Sequence, residues 1–213
     1  MFFFLCSCTN HQKDRNIDSN NENKKSLNSE SQSIYKKKNI NYSFITDEIV
    51  QYIPDSMTVL DTAFGDLNLD NFKDLIIVLK TKNEEIREDL MDNPNRPLLI
   101  FVAIANNQFK FLSRNDNIVK CFSCGGTMGD PYVDIVIKNG YFSVEHYGGS
   151  RERWTQITTF KYDKSKNDFF LHRDSEEVID ILTSEDNPKT ISSTNKTKKD
   201  FGIVKFSDYK YNF

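Results

Sequence analysis

Five apolar residues in a row, Leu75-Ile76-Ile77-Val78-Leu79, most constrain how this chain can fold. The run has strand length and no polar interruption, so it reads as a central strand covered on both faces. The rest of the sequence supplies hairpin partners. Strands are expected over 58–64 and 98–105, and over 108–112 after Asn106-Asn107, a hairpin signal. Segments 133–138 and 141–147 flank Asn139-Gly140, a pair suited to a type I′ turn because both central residues need positive φ. Segments 154–162 and 168–172 flank a polar loop over 163–167. Thr46-Asp47-Glu48 ahead of Ile49, Val50, Tyr52 and Ile53 predicts an N-cap and a short helix ended by Pro54. Residues 83–92 read as a loop or short helix, 175–182 as a short helix, 187–199 as a polar loop and 201–206 as a last strand. Sequential hairpins mean an antiparallel meander, and no βαβ alternation argues for a doubly wound fold. The expectation is a mainly β fold: an antiparallel hairpin meander or small β-sheet domain with one to three short helices, over 44–213.

Length allows one domain and a tail in 213 residues. The 28 Lys+Arg and 31 Asp+Glu leave a net charge of -3, which excludes a basic nucleic-acid binder. A mean hydropathy of -0.59 agrees with the absence of any stretch of about twenty apolar residues able to cross a bilayer as a helix. Seventeen Phe and nine Tyr are enough for an aromatic-rich core.

The chain opens Met1-Phe2-Phe3-Phe4-Leu5-Cys6-Ser7-Cys8. It lacks the basic n-region and longer apolar stretch of a full secretory signal, but it resembles the end of a bacterial lipoprotein signal. Leu5 lies three before Cys8 and the small Ser7 just before it, as in that family's lipobox. Cys6 fits badly, since Phe3 and Leu5 would take those places. The resemblance implies cleavage after residue 7, a lipid on Cys8 and an envelope protein held to a membrane. Residues 9–43, with seven Lys+Arg against four Asp+Glu and almost no large apolar side chains, read as a disordered polar tether.

The segment Gly65-Asp66-Leu67-Asn68-Leu69-Asp70-Asn71-Phe72-Lys73-Asp74 precedes the apolar run directly. Alternating spacing lets Asp66, Asn68 and Asp70 converge, with Asp74 closing the site and the Phe72 carbonyl as a further donor. Hard oxygens in a flexible loop suit Ca²⁺. The competing reading is an Asp/Asn-rich turn without metal. With a strand following at once, the span 59–79 resembles a unit of the FG-GAP (integrin α-type, VCBS-like) family. That resemblance implies a calcium loop between two strands, a unit the family often repeats around a β-propeller; this sequence carries one copy.

Two further patches are dense in chemistry. Cys121 and Cys124, ahead of Gly125-Gly126-Thr127-Met128-Gly129-Asp130-Pro131-Tyr132, are half a zinc site at best. They form a local disulfide in an exported protein or stay as two idle thiols. The run Glu145-His146-Tyr147-Gly148-Gly149-Ser150-Arg151-Glu152-Arg153-Trp154 is the other. The two together are similar to a group of uncharacterised bacterial lipoproteins with a His-Tyr-Gly-Gly-Ser segment ahead of a Trp-bearing strand, which implies fold and anchor only. Chemically, His146, Tyr147, Arg151, Arg153 and Trp154 suit a carboxylate or a sugar: Arg offers a fork and Trp a stacking face. The bland alternative puts His146 and Trp154 in the core and the arginines at the rim. Function then reads as a noncatalytic envelope β-domain binding a protein or glycan. The rival is an envelope hydrolase using His146 with Glu145 or Asp130. Neighbours Glu145 and His146 point to opposite faces of a strand, which counts against a direct pair.

Overall fold

The computed structural model describes residues 44–86, 94–105, 108–183 and 188–211; Cys8 and the expected tether over 9–43 lie outside them. A one-turn helix, α1 (Asp47–Val50), enters from Thr46 at its N-cap. Two antiparallel meanders follow. The first sheet is β1 (Met57–Gly65), β2 (Asp74–Thr81), β3 (Arg96–Ala105) and β4 (Gln108–Val119), side by side in that order. The second is β5 (Tyr132–Lys138), β6 (Tyr141–Gly149), β7 (Glu152–Asp163), β8 (Asp168–Asp180) and β9 (Lys189–Thr197), again in chain order. A second one-turn helix, α2 (Lys198–Phe201), begins at a capping box between Thr197 and Asp200. The protein is mainly β, as the hairpin signals imply.

The apolar run is the middle of β2, and its two faces serve two cores. Ile76 and Val78 meet Leu98 and Ile100 of β3 and the facing side chains of the second sheet, Val144, Phe142, Phe160 and Phe169 among them. Leu75, Ile77 and Leu79 point the other way, under a cover of Ile49, Tyr52 and Ile53 from the N-terminal segment. Tyr52 stacks on Phe111 at 4.4 Å between ring centroids and meets Phe101 edge-on. Each fully buried Leu, Ile or Val contributes about 1.5–3 kcal/mol relative to exposure, which is why a strand with no polar face is stable here. The sheets also meet at a polar tie, where the Tyr132 hydroxyl donates to Asp61 Oδ2 at 2.9 Å.

The β5–β6 turn carries Asn139 at φ 52° and Gly140 at φ 76°, the pair of positive values a type I′ turn requires. Arg96, 1% exposed, opens β3 inside the protein. It is held by Glu84 and, in a fork, by Asp130 at 2.7 and 2.8 Å.

Three expectations change. Residues 175–182 are not a helix: β8 runs on to Asp180, paired with β7 on one side and β9 on the other. Helix-permissive acids such as Glu176 and Glu177 are overruled there by two ladders of backbone hydrogen bonds. Residues 187–199 are not a loop, since 189–197 form β9. This edge strand is exposed almost throughout, so it carries Ser and Thr instead of the apolar alternation that marks a half-buried strand. Residues 201–206 make no full strand. They leave α2, touch the sheet through one bridge between Phe170 and Lys205, and enter a 3₁₀ turn at Phe206–Asp208.

Residues 202–211 thus form a strap across the open side between β4 and the second sheet. Phe206 packs edge-on against both Phe142 and Phe160. Asn115 of β4, 2% exposed, fastens the strap. Its amide donates to the carbonyls of Phe206 and Tyr209, while its oxygen accepts from the N–H of Asn117 and Ile118 at 2.7 and 2.8 Å.

Candidate binding pocket

Strand periodicity puts Trp154, Gln156, Thr158 and Phe160 of β7 on one face of the second sheet. Phe160 lies in the shared core, whereas the strap covers the sheet around Gln156. Between strap and sheet lies a cavity of about 320 Å³. Gln156, Asp174 and Lys196 line it from three neighbouring strands, and Val204, Asp208, Tyr209, Lys210 and Tyr211 from the strap. Asp174 organises the floor. Its Oδ1 accepts from Gln156 Nε2 and Thr158 Oγ1, each at 3.2 Å, and its Oδ2 from the Tyr209 hydroxyl at 3.1 Å. Burial, and then Asp174, hold the Tyr209 phenol above its ordinary pKa, so the hydroxyl stays a donor.

Lys120, just past β4, stands against Tyr211, one of the residues that line the cavity. Its Nζ lies 3.8 Å from the centre of the Tyr211 ring and 5.5 Å from that of Trp154. Burial lowers its pKa, against the pull of Glu176 and Asp174. Trp154 reaches this position because residue 148, opposite it on β6, is glycine. A Cβ there would stand 2.5 Å from the indole.

His146 is fully buried behind this wall. The Lys120 N–H donates to Nε2 at 3.2 Å, and Nδ1 lies 3.3 Å from the Tyr211 hydroxyl, which itself donates to the Ile118 carbonyl. One proton arrangement satisfies all three contacts: a neutral ring with its proton on Nδ1, donating to the Tyr211 oxygen. Burial, with smaller contributions from Lys120 and Arg96, brings the His146 pKa down to about 3. Such an imidazole is a structural acceptor, not a base for work near neutral pH. Glu145 stands on the opposite face, paired in register with Asp134, and burial raises its pKa. Asp130 is committed to Arg96.

The five residues expected to share a ligand are therefore divided. His146 and Trp154 face inward. Tyr147 and Arg153 lie on the outer face of the second sheet. Arg151 sits at the rim in a bidentate pair with Asp180, at 2.7 and 3.2 Å. Cys121 and Cys124 are joined as a disulfide, with Cα atoms 5.1 Å apart.

The acidic loop connects β1 to β2. It brings Asp66, Asn68 and Asp70 together, and all five of their side-chain oxygens accept hydrogen bonds from the loop itself. Each oxygen retains a lone pair. With the Phe72 carbonyl they would number six, the lower end of the six to eight oxygens Ca²⁺ takes. Asp74 is held apart, fully buried. Its oxygens accept from the N–H of Leu67, Asn68 and Ala103. Burial raises its pKa against those bonds. Among the described residues no three His, Cys, Asp or Glu side chains are grouped to hold a metal, and no helix is long and apolar enough to cross a membrane.

The pocket residues Gln156, Asp174 and Lys196 carry no motif, and sequence reading passes over them. Their only trace is the alternation Trp154-Gln156-Thr158 and the aromatic density at Phe206, Tyr209 and Tyr211. No family model matches the chain, and neither does any of the curated proteins or solved structures compared with it.

Proposed function

We propose that this chain is a noncatalytic binding domain of the bacterial cell envelope, anchored through a lipid on Cys8, that takes a glycan in the pocket beneath its C-terminal strap. The observation that carries the proposal is the mixed chemistry of the cavity: an amide at Gln156, carboxylates at Asp174 and Asp208, ammonium groups at Lys196 and Lys210, and the rings of Tyr209 and Tyr211. Sugar hydroxyls donate and accept on one ring whose faces are apolar, so they use both signs of partner and aromatic walls together. An apolar ligand wants an apolar lining, and a protein partner wants a broad surface rather than a confined cavity. The enclosed, weakly basic His146 supports binding over hydrolysis.

A glycan array probed with the full chain tests this reading. Binding is expected to some member of the array and to be lost in Val204→Trp, which fills the cavity from the strap. No binding, or binding unchanged in Val204→Trp, would overturn it. The anchor rests on Leu5 and Ser7 ahead of Cys8 and on the polar segment behind it. Metabolic labelling with a radioactive fatty acid should mark the wild type and not Cys8→Ala. The proposal also gives the loop at Asp66, Asn68, Asp70 and the Phe72 carbonyl one Ca²⁺ that stabilises the fold without chemistry.

A further inference from the structure

Arg153 faces away from the pocket. It lies on the outer face of the second sheet, opposite Gly149 on β6 and Ile179 on β8, neither of which offers a side-chain acceptor. Its Nε and Nη1 atoms are buried and have no hydrogen-bond partner, and they are the only buried side-chain nitrogens or oxygens so left among the described residues. Arg173 is exposed to solvent, and three other described arginines are matched by carboxylates. Arg96 is shared by Glu84 and Asp130, Arg151 is forked by Asp180, and Arg114 pairs with Asp116. The acid one row along from Arg153 is Glu177, opposite Thr155, and its carboxylate takes the Thr190 hydroxyl at 3.4 Å. A cation with two desolvated, unmet N–H donors is among the costliest arrangements a protein can hold. The residue as a whole is half-buried rather than sealed, so a ligand reaches the group at the surface once the side chains over Nε and Nη1 move aside.

We propose that Arg153 is the receptor for an oxyanion, the carboxylate or phosphate group of a ligand, at a second site on the outer face of the five-stranded sheet. An oxyanion supplies opposite charge for the guanidinium and, in a planar fork along one edge, lone pairs for Nη2 together with one of the two unmet donors. Tyr147 stands on the same face one row along, at the edge of this site. The site is separated from the glycan pocket by the thickness of the sheet, so neither depends on the other.

The test is thermal melting of the full chain in a cationic buffer with chloride as the only anion, against acetate and phosphate at matched ionic strength. At least one oxyanion is expected to raise the wild-type Tm by about 5–10 °C at a hundredfold excess over Kd. A response to acetate alone assigns a carboxylate, and a response to phosphate alone assigns a phosphate. Arg153→Met is expected to melt above wild type in chloride, because it removes a buried unpaired charge, and to show no response to either oxyanion. Identical wild-type curves in all three salts would overturn the proposal. So would an Arg153→Met protein that responds like wild type, or one less stable than wild type in chloride, since its guanidinium would then already be satisfied within the protein.

Discussion

Acidification should loosen this fold through one residue. His146 is fully buried, its ring neutral, and its pKa about 3 because burial, then Lys120 and Arg96, disfavour the cation. In the unfolded chain the same imidazole titrates near its ordinary value of about 6.5. The folded value is the lower one, so the unfolded state takes up the proton first. The stability that His146 confers is complete above about 6.5 and is lost as pH falls from there toward about 3. Each pH unit in that window costs about 1.4 kcal/mol. Moving from pH 7.5 to pH 5.0 therefore removes about 2 kcal/mol, equivalent to about 4–8 °C in Tm for a domain of this size. The assay is urea or thermal unfolding of wild type and His146→Gln across that range. Wild type should lead the variant at pH 7.5 and give up about 2 kcal/mol of its lead by pH 5.0. Asp74 and Glu145, whose pKa values burial raises, respond to acid in the opposite direction, but they do so in both proteins and cancel in the difference. A lead that stays constant from pH 7.5 to 5.0 would refute the reasoning.

Other perturbations have equally definite outcomes. Arg96→Ala leaves Glu84 buried without its cation and should cost about 3–5 kcal/mol in urea unfolding, whereas the similarly sized Arg96→Met with Glu84→Gln should recover much of that loss. Asn115→Ala should cost roughly 1–3 kcal/mol for each group left unsatisfied, and hydrogen exchange should quicken first at the strap residues it fastens, Phe206 and Tyr209. Calcium in excess should raise Tm over chelator, by about 2.7 kcal/mol of added stability at a hundredfold excess over Kd, and Asp70→Ala should erase the difference. Equal wild-type curves with and without calcium would make the loop a turn only.

Much of the fold was legible because its signals are local. The run 75–79 names the strand with two buried faces, and Asn139-Gly140 names a turn whose positive φ values few other residues tolerate. What escaped is non-local. β9 has no apolar face because it lies at an edge in solvent, and the second half of β8 is spelled in residues that suit a helix as well. The strap is held by Asn115, ninety-one residues before Phe206, and no spacing rule links the two. The candidate site shares that character. Opposite-face parity at Glu145 and His146 could be read from the strand period. The gathering of Gln156, Asp174 and Lys196 depends on the register of β7, β8 and β9, which the sequence does not spell out. Arg151 and Arg153 look alike in the chain, and only the position of Asp180 tells the paired one from the orphan.

The glycan pocket is tested most directly by chemical-shift mapping of the full chain during titration with the oligosaccharide that binds best on the array. The expected result is a cluster of shifted resonances at Gln156, Asp174, Lys196, Tyr209 and Tyr211, with the single indole N–H, Trp154, moving at the edge of that cluster. Shifts confined to the outer face around Tyr147 and Thr155, or no shifts at saturating sugar, would contradict it.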